Sequence, residues 1–125
     1  MKKLIINPTK TTPAILFFVE RGILNIIGKC MTEKAEEFFQ EFEKSLNIFI
    51  ADHSHNSLLI TFELEYINTG SSKCLLNMLK KIINSLEKVT IVWGYEEDDD
   101  DILEQGKIFE ESLKIPFEFR VFRLN

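Results

Sequence analysis

Within the stretch Asn68-Thr69-Gly70-Ser71-Ser72-Lys73 the chain gathers three hydroxyls, an amide, a glycine and a lysine. A hydroxyl here can accept a phosphoryl group, which installs about −1.5 to −2 charges at one point. If a helix starts at these residues, its free N–H groups and its dipole can also hold an anion. The commoner role of such residues is structural: Thr69, Ser71 or Ser72 caps the helix, and Gly70 lets the backbone turn sharply into it. Local pattern alone favours the cap.

A second loaded stretch is Glu96-Glu97-Asp98-Asp99-Asp100-Asp101. Two or three acids at a helix start are favourable, but six in succession repel one another. An EF-hand loop needs glycine at its sixth position and glutamate at its twelfth, and the run does not supply both. His53 and His55 alternate like a metal pair, yet no third ligand is near, and a solvated loop accounts for them. Cys30 and Cys74 stand alone, which reads as two reduced, packed thiols in a reducing cytosol. The patterns GxSxG, HExxH, GxGxxG and GxxxxGK(S/T) do not occur, so no catalytic residue, metal ligand or cofactor is assigned.

The elements that must position these stretches follow from periodicity. Leu58, Ile60, Phe62, Leu64 and Tyr66 alternate with Thr61, Glu63 and Glu65, the period of a strand. Leu75, Leu76, Leu79, Ile82, Ile83 and Leu86 then repeat at helical spacing, so the hydroxyls sit at a strand-to-helix junction. Upstream, residues 1–11 read as an arm whose Leu4-Ile5-Ile6 pairs or packs at an edge, and 14–19 and 23–27 as a hairpin of two strands ended by Gly28. Thr32 is the expected N-cap of a first helix whose apolar face is Ala35, Phe38, Phe39, Phe42, Leu46 and Phe49. Downstream, 89–93 is a strand completing a right-handed β-α-β unit. A third helix turns Ile102, Gly106, Phe109 and Leu113 inward, and Phe117, Phe119 and Val121 alternate in a last strand. The expectation is one α/β domain over residues 1–125, ordered β-β-α-β-α-β-α-β, with a mixed sheet whose later strands are parallel.

At 125 residues the chain can bury a full core without staples. A net charge of −5 with no basic cluster argues against a nucleic-acid surface. The start, Met1 to Ile6, holds too short an apolar run for a signal peptide and no span approaches membrane length, so a cytoplasmic protein is expected. In parallel β-α units the strand C-termini share one rim, where ligands and partners meet the sheet. That rim gathers Tyr66, Asn68, Gly70 and Lys73 with Trp93, Tyr95, Glu96, Glu97, Asp98 and Asp99, which are the candidate partner-binding residues. A phosphate placed among those carboxylates would change the rim's potential and leave the fold standing. The competing reading is a small-molecule or divalent-metal-binding domain using the Thr69–Lys73 helix start and the Glu96–Asp101 run.

Taken in order, Thr12-Pro13-Ala14-Ile15, Gly28, Phe38-Phe39, Tyr66 to Lys73, Trp93-Gly94-Tyr95 with the acidic run, Gly106 and Ile115-Pro116-Phe117 carry a resemblance. From about residue 11 to 122 the chain resembles the SiaC family of bacterial regulatory phosphoproteins. The resemblance implies a STAS-like fold, similar to anti-sigma-factor antagonists, and no enzymatic activity. It implies partner switching, in which a Ser/Thr protein kinase phosphorylates the strand–helix junction and a PP2C-type phosphatase reverses it. It also implies that the unphosphorylated form activates a diguanylate cyclase, in cyclic-di-GMP signalling and biofilm growth. The acceptor carries over onto Thr69, with Ser71 and Ser72 as fallbacks. Gly70 stands where the family usually has serine, and Thr32 where a proline precedes the glutamate.

Overall fold

The computed structural model describes residues 3–123. Strands β1 (Lys3–Ile6), β2 (Ala14–Phe18) and β3 (Ile23–Cys30) are followed by α1 (Ala35–Ala51), β4 (Ser57–Ile67), α2 (Thr69–Ser85), β5 (Lys88–Tyr95), α3 (Asp100–Leu113) and β6 (Glu118–Val121). One six-stranded sheet runs in chain order from β1 to β6. The β1–β2 and β2–β3 pairings are antiparallel; β3–β4, β4–β5 and β5–β6 are parallel. The mixed sheet is therefore as expected, with one strand more. Residues 3–6 of the supposed arm pair with β2, Lys3 opposite Phe18 and Ile6 opposite Ile15. The edge pairing expected of Leu4-Ile5-Ile6 is present, and Lys3 extends it to a four-residue strand. Met1 and Lys2 of that arm lie outside the described residues.

The three crossovers all step the same way along the sheet, which with right-handed connections lays the helices on one face. There α1 packs on α2 and α2 on α3. Beneath them Ile15, Phe17, Leu24, Ile26, Leu58, Ile60, Phe62, Leu64, Ile91 and Trp93 are buried. The helices meet them with Phe39, Phe42, Phe49, Leu75, Leu79, Ile82, Ile102 and Phe109. Phe17 touches both Phe42 and Phe49, with ring centroids 5.9 and 5.3 Å apart, so the phenylalanine stripe of α1 is core.

Three local expectations change. Gly28 does not end its strand; it sits at φ 120°, a conformation closed to side chains, and β3 runs on to Cys30. Across from it Gly28 faces Leu64 but Lys29 faces Tyr66, leaving Glu65 as an extra residue in β4. This bulge reverses the alternation: Tyr66, expected inward with Leu64, is 50% exposed. Thr32 does not cap α1 either. Its Oγ1 accepts the Lys34 N–H at 3.1 Å one turn early, and α1 begins at Ala35 without a side-chain cap.

Candidate functional site

Because β4 and β5 are neighbours, the ends that lead into α2 and α3 lie side by side on one rim. The β4–α2 junction is built by Asn68. Its Oδ1 accepts the Ser71 N–H at 2.9 Å, and its Nδ2 donates to the Thr32 carbonyl at 2.9 Å. Its own N–H donates to the Cys30 carbonyl at 2.9 Å. The Thr11 carbonyl in turn accepts from Met31 and Thr32 N–H at 2.8 and 3.0 Å. One amide thus ties the helix start to the β3–α1 loop and, through it, to the segment before β2.

The cap is therefore none of the three hydroxyl residues, and their hydroxyls are left for other uses. They separate sharply. Thr69, first residue of α2, is exposed, and among the described residues its hydroxyl has no hydrogen-bond partner. Ser72 is half-buried. Ser71 is fully buried on the core face of α2, its Oγ without a partner, so no kinase can reach it without unfolding the turn. Of the two fallbacks, only Ser72 is reachable.

The β5–α3 junction uses the same device. Asp99 Oδ1 accepts the Ile102 N–H at 3.0 Å, and Asp100 and Asp101 stand in the first turn, where the dipole favours them. Half of the acidic run is thereby accounted for, and Glu96, Glu97 and Asp98 form the loop ahead of it. Trp93, expected on the rim, is wholly buried. Its indole N–H donates to the Ile102 carbonyl at 2.8 Å, and its ring packs against Phe62 and Phe109. Its phase with Ile91 in the strand period was the available signal for the core. Tyr95 is half-buried, and Gly70, Lys73, Glu97 and Asp98 are exposed.

Two depressions adjoin here, one of about 450 Å³ between the end of β4 and α3 and one of about 420 Å³ between α2 and α3, with Ile67 and Gln105 common to both. Glu65, Tyr66, Asp99, Asp101, Ile102 and Glu104 line the first; Asn68, Thr69, Ser72, Lys73 and Leu76 line the second. A third depression, of about 660 Å³, separates the starts of α1 and α2 and contains Gly70, Lys73 and Cys74 opposite Glu33 and Glu36. Burial, with Glu36 and Glu43 nearby, raises the Cys74 thiol above its ordinary pKa, and burial alone pushes Cys30 up to about 12. Both are protonated thiols, not nucleophiles.

His53 and His55 are at the far end of β4 from Thr69. His55 stacks on Phe49 with centroids 4.6 Å apart and lies 3.4 Å from Asp52. Hydrogen bonds from the Ser54 hydroxyl and N–H hold Asp52 below its ordinary pKa. Among the described residues no three His, Cys, Asp or Glu side chains converge as a metal site, and no helix is long and apolar enough to cross a membrane.

Comparison with known proteins agrees with this architecture. The family model for the SiaC family regulatory phosphoprotein matches residues 6–122. An uncharacterized protein of Pseudomonas aeruginosa (strain UCBPP-PA14) is 28% identical over 120 residues, 94% of each chain. The solved structure of SiaC of Pseudomonas aeruginosa superposes with a TM-score of 0.84 at 26% identity, covering 98% of this chain and 100% of that one. A chain of the crystal structure of the diguanylate cyclase SiaD in complex with its activator SiaC, from the same organism, matches with a TM-score of 0.84 at 26% identity, covering 95% and 99%.

Proposed function

This chain belongs to the SiaC family of regulatory phosphoproteins, and from that premise we propose that it is a non-enzymatic signalling protein that changes protein partners according to phosphorylation of Thr69. Unphosphorylated, it binds and activates a diguanylate cyclase and so raises cyclic-di-GMP, the signal for biofilm growth. A Ser/Thr protein kinase and a PP2C-type phosphatase set its state in the cytoplasm. The STAS-like description belongs to the same reading, which a mixed sheet with an acceptor at a strand–helix junction suits.

The observation that carries the reading is the separation of the hydroxyls. Asn68 does the capping, Ser71 is sealed in the core, and Thr69 alone stands exposed with its Oγ free among the described residues. In the forward step that Oγ forms a bond to the γ-phosphorus of ATP. The bond to the bridging oxygen breaks, ADP leaves, and the hydroxyl proton passes to a base of the kinase. Hydrolysis of the phosphothreonine releases inorganic phosphate and restores the hydroxyl. A dianion on the first turn of α2 is favoured by the dipole, so the modified chain stays folded. What changes is the surface.

Two measurements test this. Peptide mass spectrometry of the protein from its native cells should find one phosphate, on Thr69. With the SiaD-type diguanylate cyclase of the same organism, Thr69→Ala should activate cyclic-di-GMP synthesis as the wild type does. Thr69→Glu should bind at least roughly tenfold more weakly, about 1.4 kcal/mol, at unchanged thermal stability. Equal binding by Thr69→Glu would sink the proposal.

A further inference from the structure

A puzzle of sign lies within that switch. The rim is already acidic, so a partner docking there by charge complementarity is basic around the carboxylates, and more negative charge should tighten the complex. For phosphate to release the partner, it must remove something the partner needs. Lys73 meets that requirement. It is exposed, lines the depression that holds Thr69, and takes part in no ion pair among the described residues. It lies four residues after Thr69 in α2, on the same helix face, within reach of a phosphate there. The groove formed by the two adjoining depressions along α3 is therefore polarised: Glu65, Asp101 and Glu104 at the β4 end, Lys73 at the α2 end, with the apolar Ile67 in between.

Resting on the phosphorylation reading and deepening it, we infer that this groove is the docking surface for a partner segment carrying basic side chains toward Glu65, Asp101 and Glu104 and an acidic side chain toward Lys73, and that phosphate on Thr69 releases the segment by claiming Lys73 for itself. The modification converts the single basic end of the groove into an internally neutralised, then net negative, one. The partner's acidic residue loses its counter-ion and meets like charge, whereas the carboxylate end is untouched. Loss of one opposed contact outweighs the diffuse attraction because exposed charges further apart than about 8 Å are largely screened at physiological salt.

The pairing is tested first without any partner, on the full chain carrying phosphothreonine introduced at position 69 during translation. A cation beside the phosphate lowers its second pKa. Phosphorus NMR titration should place that value roughly 0.3 pH unit lower in the wild type than in Lys73→Met. Equal values would overturn the assignment of Lys73. Docking is tested with the unmodified chain and the same SiaD-type cyclase. Lys73→Glu should lose binding about as fully as Thr69→Glu, and Asp101→Lys should lose it too, whereas the exposed Lys107→Glu on α3 binds like wild type. If Thr69→Glu loses binding and Lys73→Glu keeps it, phosphorylation switching stands and the groove mechanism falls. If Thr69→Glu binds normally, the switch itself is wrong. If the wild type binds no cyclase, the partner assignment and its docking segment are wrong, and the titration alone decides the Lys73 pairing.

Discussion

The two junctions of the rim are built from the same parts and put to opposite uses. Each is the end of a parallel strand and an Asx side chain that caps the next helix, Asn68 directly after β4 and Asp99 after a short turn from β5. Beyond the cap they diverge. At the β5–α3 end the buried Trp93 donates to Ile102 and fills the space beneath the helix so closely that a Cβ on Gly106 would come within 2.5 Å of the indole. At the β4–α2 end a Cβ on Gly70 would meet nothing nearer than the Ala35 Cβ at 3.8 Å, and Thr69 and Lys73 stand exposed. One junction is locked by packing, the other held by a few hydrogen bonds with its reactive groups left free. The switch proposed for Thr69 needs the second construction, an accessible hydroxyl, and the first gives it a fixed wall to work against.

The largest expected effect comes from breaking the lock. Gly106→Ala forces Trp93 or α3 to move, because the indole is enclosed on every side. Overpacking of this kind costs about 1–3 kcal/mol, more than the fraction of a kcal/mol that alanine gains over glycine in a helix. Chemical denaturation should show a net loss of about 2 kcal/mol, with indole fluorescence altered. An unchanged midpoint would mean that the α3 junction has slack like its neighbour's.

A smaller pair of effects distinguishes the two caps. Removing a helix cap costs about 1 kcal/mol, so Asn68→Ala and Asp99→Ala should lower stability by similar amounts. Their local consequences differ. In Asp99→Ala the indole still grips the Ile102 carbonyl, and hydrogen exchange in the first turn of α3 should rise little. In Asn68→Ala the bonds to both Ser71 and Thr32 go, and exchange should rise in the first turn of α2 and in residues 31–34 together. Matching exchange patterns in the two variants would erase the distinction between locked and loose.

The sequence made one of these junctions easier to read than the other. The alternation through Leu64 and the helical stripes were legible because each is a local pattern of apolar residues, and the parallel order of the later strands followed from their alternation with helices. Trp93 carried two conflicting signals, its phase with Ile91 and its place beside the acidic run, and the phase marks the core. Tyr66 was not legible. Its outward turn depends on the extra residue at Glu65, which exists only relative to the register of β3. Nor could the division among the hydroxyls be read. Asn68, Thr69, Ser71 and Ser72 all suit a helix start, and which one caps depends on where β4 stops and on the Thr32 carbonyl, thirty-six residues away. The edge contact of Leu4-Ile5-Ile6 was legible as three apolar residues in an arm, but its partner and register were not, since they lie in β2.

The smallest expected effect bears on Gly70, the neighbour of Thr69. Gly70 lies in the first turn of α2 with an ordinary helical backbone, absent from the positive-φ glycines. A serine side chain would enter the open depression between α1 and α2, with Ala35 at van der Waals distance and no backbone in its way. The overpacking that penalises alanine at Gly106 is therefore missing here. What remains is helix propensity, in which serine is better than glycine by about 0.5 kcal/mol, reduced in a first turn. Gly70→Ser should thus raise the thermal midpoint slightly or leave it unchanged, and should not affect cyclase binding, since position 70 opens toward α1 and Thr69 toward α3. Should Gly70→Ser instead weaken binding as Thr69→Glu does, partners would reach the rim from the α1 side, and the free space beside Gly70 would belong to the docking surface rather than to slack in the fold.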